Sequence, residues 1–249
     1  MNNLETNTLK TWCPGCGNFL ILNTLKKLIE ETEKEIGREN FVLVTGIGCH
    51  GKMADYLNIN SFYALHGRGV AVATGIKIAN PNLKVIVSVG DGDAYNEGIE
   101  HLIHAAKRNI PMVVLVHDNR TFALTTGQFT ATSPLGFKGK STPEGSKELP
   151  INPLKLMISV GAGFVARGYV GKPDHLFSLI KKALFYNGFA FIDILQPCLV
   201  FFNTFQDYNQ RVYELEKPAK NLCEALEKAE EWNYEDGQGK IPVGIFYER

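Results

Sequence analysis

The segment from Lys84 to Pro134 constrains this chain more than any other. It opens with an apolar, β-branched run, KVIVSV over 84–89, that breaks abruptly into Gly90-Asp91-Gly92-Asp93. A helical stretch follows, then a second apolar run, MVVLV over 112–116, and then His117-Asp118-Asn119-Arg120-Thr121. Two such runs joined by a helix predict a βαβ unit of a parallel sheet. Ligands of such sheets sit beyond the carboxyl ends of the strands. Both polar clusters fall at such ends, so the crossover brings them to one rim.

That rim suits a hard divalent cation bound to a diphosphate. Asp91 offers a carboxylate, Asn119 a side-chain carbonyl and Thr121 a backbone carbonyl, the oxygen donors that magnesium favours. Gly90 and Gly92 permit a tight turn, and the amides of Gly92 and Asp93 can face phosphate as a helix begins. For GDGD alone, a turn followed by an aspartate N-cap is the simpler reading. The second cluster, at the end of a matching strand, favours metal and diphosphate.

The whole chain, 249 residues, 45% hydrophobic and 21% charged, is enough for one large α/β domain with a sizeable core. Lys plus Arg equals Asp plus Glu at 26 each, so no charge excess points to nucleic acid or an anionic membrane. The polar start, MNNLETNTLK, has no apolar core of a signal peptide, and no run reaches membrane-spanning length. The expectation is a soluble, cytoplasmic protein. Five cysteines, an odd count, argue against a complete disulfide framework and favour metal or redox use.

Cys13-Pro14-Gly15-Cys16 precedes a helix whose Leu22, Leu25, Ile29 and Ile36 share one face. Cys49 follows the glycine-ended strand FVLVTGIG, and Cys198 follows the strand FAFIDIL. Four thiolates brought together would suit zinc, an iron–sulfur cluster or, for the CxxC pair alone, a redox disulfide, and spacing does not separate them. Lys52, on the loop after Cys49, is either a solvated charge or a contact for a substrate carboxylate. His66 and Arg68 lie at a turn and could reach a diphosphate or a partner, or serve structure. Residues 121–150 show little periodicity, as a functional loop or lid would. Leu124, Thr125 and Thr126 in it are candidates to touch the organic half of a cofactor. Beyond Asn203 the chain becomes more polar and helical, over about 206–231, and Cys223 there has no assigned role.

GDG followed at this distance by an asparagine resembles the thiamin diphosphate signature. GDGDAYNEGIEHLIHAAKRNI and TTGQFTATSP resemble the β subunit of the 2-oxoacid:ferredoxin oxidoreductases. WCPGCGN, GIGCHGK, HGRG, QPC with FFN, and IPVGIFY are similar to that family's blocks and stand in its order along essentially the whole chain. His50 occupies a position often filled by a small residue, and Leu124 one where some relatives carry a polar residue.

The resemblance implies a doubly wound, mainly parallel α/β sheet of the thiamin diphosphate-binding fold with a helical C-terminal tail. Residues 1–202 would form the cofactor-binding domain and 203–249 an extension packed on it or on a partner. It implies thiamin diphosphate bound by Gly48, Cys49, His66, Gly90, Asp91, Gly92, Asp93, Asn119, Thr121, Leu124 and Thr125. Magnesium would take Asp91, Asn119 and the Thr121 carbonyl, and a [4Fe–4S] cluster Cys13, Cys16, Cys49 and Cys198. Lys52 would meet a substrate carboxylate and Leu124 the pocket. The implied reaction converts a 2-oxoacid and coenzyme A to acyl-CoA and carbon dioxide, with electrons passing to ferredoxin. No block resembles the half that supplies the activating glutamate, so activity is expected only with an α or fused α/γ subunit. A non-redox thiamin-dependent decarboxylase or ligase with structural or zinc-binding cysteines, and a non-catalytic assembly subunit, are the alternatives.

Overall fold

A computed structural model describes residues 4–249. Its centre is an eight-stranded sheet in the order β2-β1-β3-β4-β6-β5-β8-β7. The strands are β1 (Phe41–Thr45), β2 (Asn60–Tyr63), β3 (Lys84–Gly90), β4 (Met112–Asp118), β5 (Phe164–Tyr169), β6 (Phe189–Leu195), β7 (Val212–Glu214) and β8 (Ile241–Glu248). The first six run parallel to one another, and β8 pairs antiparallel to β5. The inner strands β1, β4, β5 and β6 are buried at every position, the signature of a sheet covered on both faces.

Alternation sorts each strand between two cores. Phe41 and Leu43 join Leu22, Leu25 and Ile29 of α1 (Gly17–Ile36) and Leu176 and Ile180 of α6 (Pro173–Phe185) on one face. Val42 and Val44 join the other face, with Val70 and Ala73 of α3 (Gly69–Ala79), Leu102 of α4 (Ile99–Lys107) and Leu154 of α5 (Pro153–Ser159). The short α2 spans Met53–Tyr56. The chain steps from β1 out to β2 and then crosses back over β1 to β3, a reversal of direction that opens a crevice at the carboxyl ends of β1 and β3.

The tail is helical in two pieces, α7 (Phe205–Arg211) and α8 (Leu222–Glu230), rather than over 206–231 continuously. Val212 and Tyr213 pair in β7 with β8, and Pro218 lies between the helices, where its ring would break one. The closing KIPVGIFYER forms a full sheet strand. Among the described residues, no helix is long and apolar enough to cross a membrane.

Candidate active site

The crevice is built by three loops. Gly90 ends β3, and Asp91 leads into a five-residue π-type turn, Gly92–Asn96, so α4 starts only at Ile99. Asn119-Arg120-Thr121 follows β4, with Arg120 at φ 57° and the Thr121 amide donating to Asn119 Oδ1 at 2.9 Å. The third loop, 46–52, follows β1. Gly48, Cys49, His66, Gly90, Asp91, Gly92, Asp93, Asn119, Thr121, Leu124 and Thr125 all line one cleft of about 90 Å³ between these loops. The sequence-derived cofactor set is therefore brought together.

Asp91 is 2% exposed. Thr130 Oγ1 and Thr132 Oγ1 both donate to its Oδ2, at 2.6 and 2.8 Å. Burial outweighs these bonds and pushes the carboxyl up to about 6. Thr132 Oγ1 also lies 3.0 Å from Asp118 Oδ1. Its hydroxyl is thus shared between the two carboxylates, and Asp118 Oδ1 also accepts from the Arg120 amide at 3.1 Å. Burial and the charges of Asp193 and Asp91 raise the Asp118 carboxyl well above the usual range. Its Oδ2 is buried without a hydrogen bond.

Asp93 acts differently from its neighbour. Its Oδ1 accepts from the Gly67 amide at 2.8 Å and the Ile47 amide at 3.3 Å, and His66 Nδ1 stands 2.9 Å away without hydrogen-bond geometry. The carboxylate clasps three loops together, and a methyl group at Gly46 would overlap its Oδ2. His50 fills the floor, 5% exposed, where side chains at Gly48 or Gly90 would strike its ring. Burial and the neighbouring histidines push its imidazole pKa well down, and Nε2 is buried without a partner.

The loop over 121–150 is tied down at Thr130 and Thr132, and Arg120 Nε donates to the Thr132 carbonyl. Gly127, at φ 93°, lets it lie against Phe201. The sequence reading gave no role to Thr130, Thr132, Gly46 or Asn96, whose Oδ1 holds the Ala131 amide at 2.8 Å. Thr130 and Thr132 were signalled only by the TTGQFTATSP block, Asn96 by GDGDAYNEG and Gly46 by the glycines that end FVLVTGIG.

A second cavity, of about 220 Å³, adjoins the cleft and is lined by all four expected cysteines: Cys13, Cys16, Cys49 and Cys198. The Cys16 amide donates to the Cys13 carbonyl at 3.1 Å, with Gly15 at φ 77° completing the turn. Trp12 Nε1 donates to the Cys49 carbonyl at 2.6 Å, and its ring packs edge-on against Phe19 and Tyr56. This indole holds the CxxC turn to the 49–52 loop. Burial raises the Cys16 thiol pKa and pushes Cys49 up to about 11. No three His, Cys, Asp or Glu side chains among the described residues form a group that could hold a metal ion. Cys49, Asn119, Ala123 and Leu124 line both cavities. Lys52 lines the thiol cavity, not the cleft, and donates to Thr11 Oγ1 at 3.0 Å. Cys223 is exposed on α8, apart from the other four.

Comparison with known proteins decides the family. Residues 46–194 match the model of the thiamine pyrophosphate enzyme C-terminal TPP binding domain, and 200–249 match the C-terminal model of the pyruvate ferredoxin oxidoreductase β subunits. The 2-oxoacid:ferredoxin oxidoreductase subunit beta of a Sulfolobus species is 43% identical, with 95% of this chain and 81% of the relative covered. The chain belongs to the 2-oxoacid:ferredoxin oxidoreductase β subunits. A 2-oxoglutarate synthase subunit KorB of Methanocaldococcus jannaschii is 38% identical over 94% of this chain and 86% of its own. The 2-oxoglutarate:ferredoxin oxidoreductase of Magnetococcus marinus, solved with 2-oxoglutarate, coenzyme A and succinyl-CoA, superposes with a TM-score of 0.92 at 36% identity. That match covers 99% of this β subunit and 84% of the solved chain. The thiamin diphosphate-binding fold expected from the sequence is thereby established, as is the oxidoreductase class.

Proposed function

We propose that this β subunit works in the oxidative decarboxylation of a 2-oxoacid, 2-oxoglutarate ahead of pyruvate, with coenzyme A as acyl acceptor and ferredoxin as electron acceptor. The observation that carries the reading is the shared wall: Cys49, Asn119, Ala123 and Leu124 separate an oxygen-lined cleft from a thiol-lined cavity. The donor chemistry fits each group. Carboxylate, amide and backbone oxygens of Asp91, Asn119 and Thr121 suit magnesium, and a divalent cation offsets the cost of the buried Asp91 charge. Four thiols around a volume, rather than at a point, suit a [4Fe–4S] cluster, in which each iron takes one.

Thiamin diphosphate supplies a nucleophilic carbon and an electron sink for decarboxylation, and the cluster supplies a one-electron acceptor. Around them this chain's residues hold and shield. Asp91, Asn119 and the Thr121 carbonyl hold the metal, the Gly90–Asp93 turn receives the diphosphate, and Leu124 and Thr125 border the organic half. His66 and Gly48 close the walls. Lys52 orients the distal carboxylate of a dicarboxylic substrate from the thiol-cavity side. A cleft of about 90 Å³ is small beside ligand sites of about 300–1,000 Å³, which supports completion by an α or fused α/γ subunit that brings the activating glutamate. The 203–249 extension packs on the 1–202 domain through β8, and the assembly is read as cytoplasmic.

The test is iron, sulfide and zinc analysis of anaerobically purified protein, with EPR after reduction, followed by a screen of 2-oxoacids with the partner present. About four irons and four sulfides per chain are expected. Stoichiometric zinc without iron overturns the electron route, and robust turnover by this polypeptide alone overturns the shared active site.

A further inference from the structure

Cys16 differs from the other three thiols in what surrounds its sulfur. Asn18 Nδ2 donates to Cys16 Sγ at 3.5 Å, and Gln196 Nε2 approaches the same sulfur at 3.9 Å from the opposite end of the chain. Both amides are buried: Asn18 is 0% exposed and Gln196 3%. Gln196 is fixed along its length. Its backbone amide donates to the Asp118 carbonyl at 2.8 Å, and its Cγ lies where a side chain at Gly17 would be.

The end of Gln196 is fixed too. Its Oε1 lies 2.7 Å from His117 Nδ1, and His117 Nε2 lies 2.8 Å from Ser88 Oγ. An imidazole that donates through Nδ1 must accept at Nε2, which the Ser88 hydroxyl satisfies. With its oxygen held by His117, the amide can turn only its NH₂ toward sulfur. The relay Ser88–His117–Gln196 lies entirely in the core and reaches the thiol cavity from the cleft side, since the His117 ring is 5.5 Å from that of His50.

We infer that Asn18 and Gln196 are positioning residues that place two N–H donors on the Cys16 sulfur and thereby raise the reduction potential of the cluster it holds, with Ser88 and His117 locking the Gln196 donor in place. The inference rests on the cluster reading above. Donors to a cluster sulfur stabilise the more negative, reduced state, which is how outer contacts tune iron–sulfur potentials.

The test is an EPR-monitored redox titration of the anaerobic complex with its partner subunit, with iron and sulfide content measured on the same samples. Gln196→Met keeps the side chain's length and loses both the donor and its anchor. Ser88→Ala touches neither sulfur nor cluster. The expected result is full iron content in both variants with the midpoint moved to more negative potential. At a fixed poise the reduced-to-oxidised ratio should fall several-fold, and further in Gln196→Met than in Ser88→Ala. Should Gln196→Met fail to hold iron, the midpoint of Ser88→Ala decides alone. Full iron with an unchanged midpoint overturns the inference, whereas a parent protein without iron overturns the cluster reading beneath it.

Discussion

Arg120 Nη2 donates to the Tyr234 carbonyl at 3.0 Å, joining the loop between Asn119 and Thr121 to a residue 114 positions later. The Arg120 guanidinium also lies over the rings of Trp232 and Tyr234, 5.2 Å from each centroid. Arg167, fully buried, shares those two rings and donates to Tyr234 Oη at 2.6 Å. The tail is thus a structural support of the cofactor cleft.

Removing that support is costly. Arg120→Ala leaves Asp118 and the Thr132 and Tyr234 carbonyls without their buried cation, and a loss of about 3 kcal/mol is expected. Because position 120 sits at φ 57°, Arg120→Gly should be less destabilised than Arg120→Ala by about 1 kcal/mol. Denaturant unfolding of the two variants checks this. Equal stabilities would contradict the strained-turn account.

Two glycines predict opposite responses to the same added methyl. Gly46→Ala drives Cβ into Asp93 and opens the three-loop clasp. Thiamin diphosphate affinity, read by tryptophan quenching or calorimetry, should fall at least about tenfold, or about 1.4 kcal/mol. Gly75 in α3 is exposed, with nothing near its Cβ position. Gly75→Ala should stabilise the protein by about 0.5–1 kcal/mol and leave affinity alone.

Asp91 separates stability from binding. Its buried carboxylate raises the energy of the cofactor-free protein, and Asp91→Asn removes that charge while it keeps an oxygen for Thr130 or Thr132. Thermal unfolding of the cofactor-free variant should be unchanged or raised. Magnesium-dependent binding of thiamin diphosphate should fall about a hundredfold, or about 2.7 kcal/mol. Retained binding would remove Asp91 from the metal site.

The acid limb of stability should report Glu5. Hydrogen bonds from Lys10 and Lys26 lower its carboxyl from 4.5 to about 2. A folded-state value below the unfolded one means stability present above about pH 4.5 and lost as pH falls toward 2. The side chain is 30% exposed, so the contribution is about 1 kcal/mol after solvent screening. Urea titrations across that range should show Glu5→Gln with a flatter slope. An identical slope would mean that the pair forms equally in the unfolded chain.

The sequence made the β3–α4–β4 unit and its rim legible because strand runs and polar clusters are local patterns. It placed all four cysteines at element ends for the same reason. Contacts between distant segments were not legible: Asp93 with Gly46 and Gly67, Thr130 and Thr132 with Asp91, and Gln196 with Cys16 depend on how loops meet. The same limit explains the tail. IPVGIFY has strand composition, but its antiparallel place beside β5 is set by the tertiary fold.

The union of β8 with β5 also sets an order of events during synthesis. Residues 119–121 leave the ribosome long before Trp232, Tyr234 and the strand that follows them. Until those residues arrive, Arg120 and Arg167 have no aromatic bed, and the left-handed turn beside Asn119 is held only by its local bonds to Asp118, Thr132 and Ser133. The nascent sheet can form first, but the finished cleft waits for the tail. Cofactor loading is therefore expected after translation of this segment, not during it.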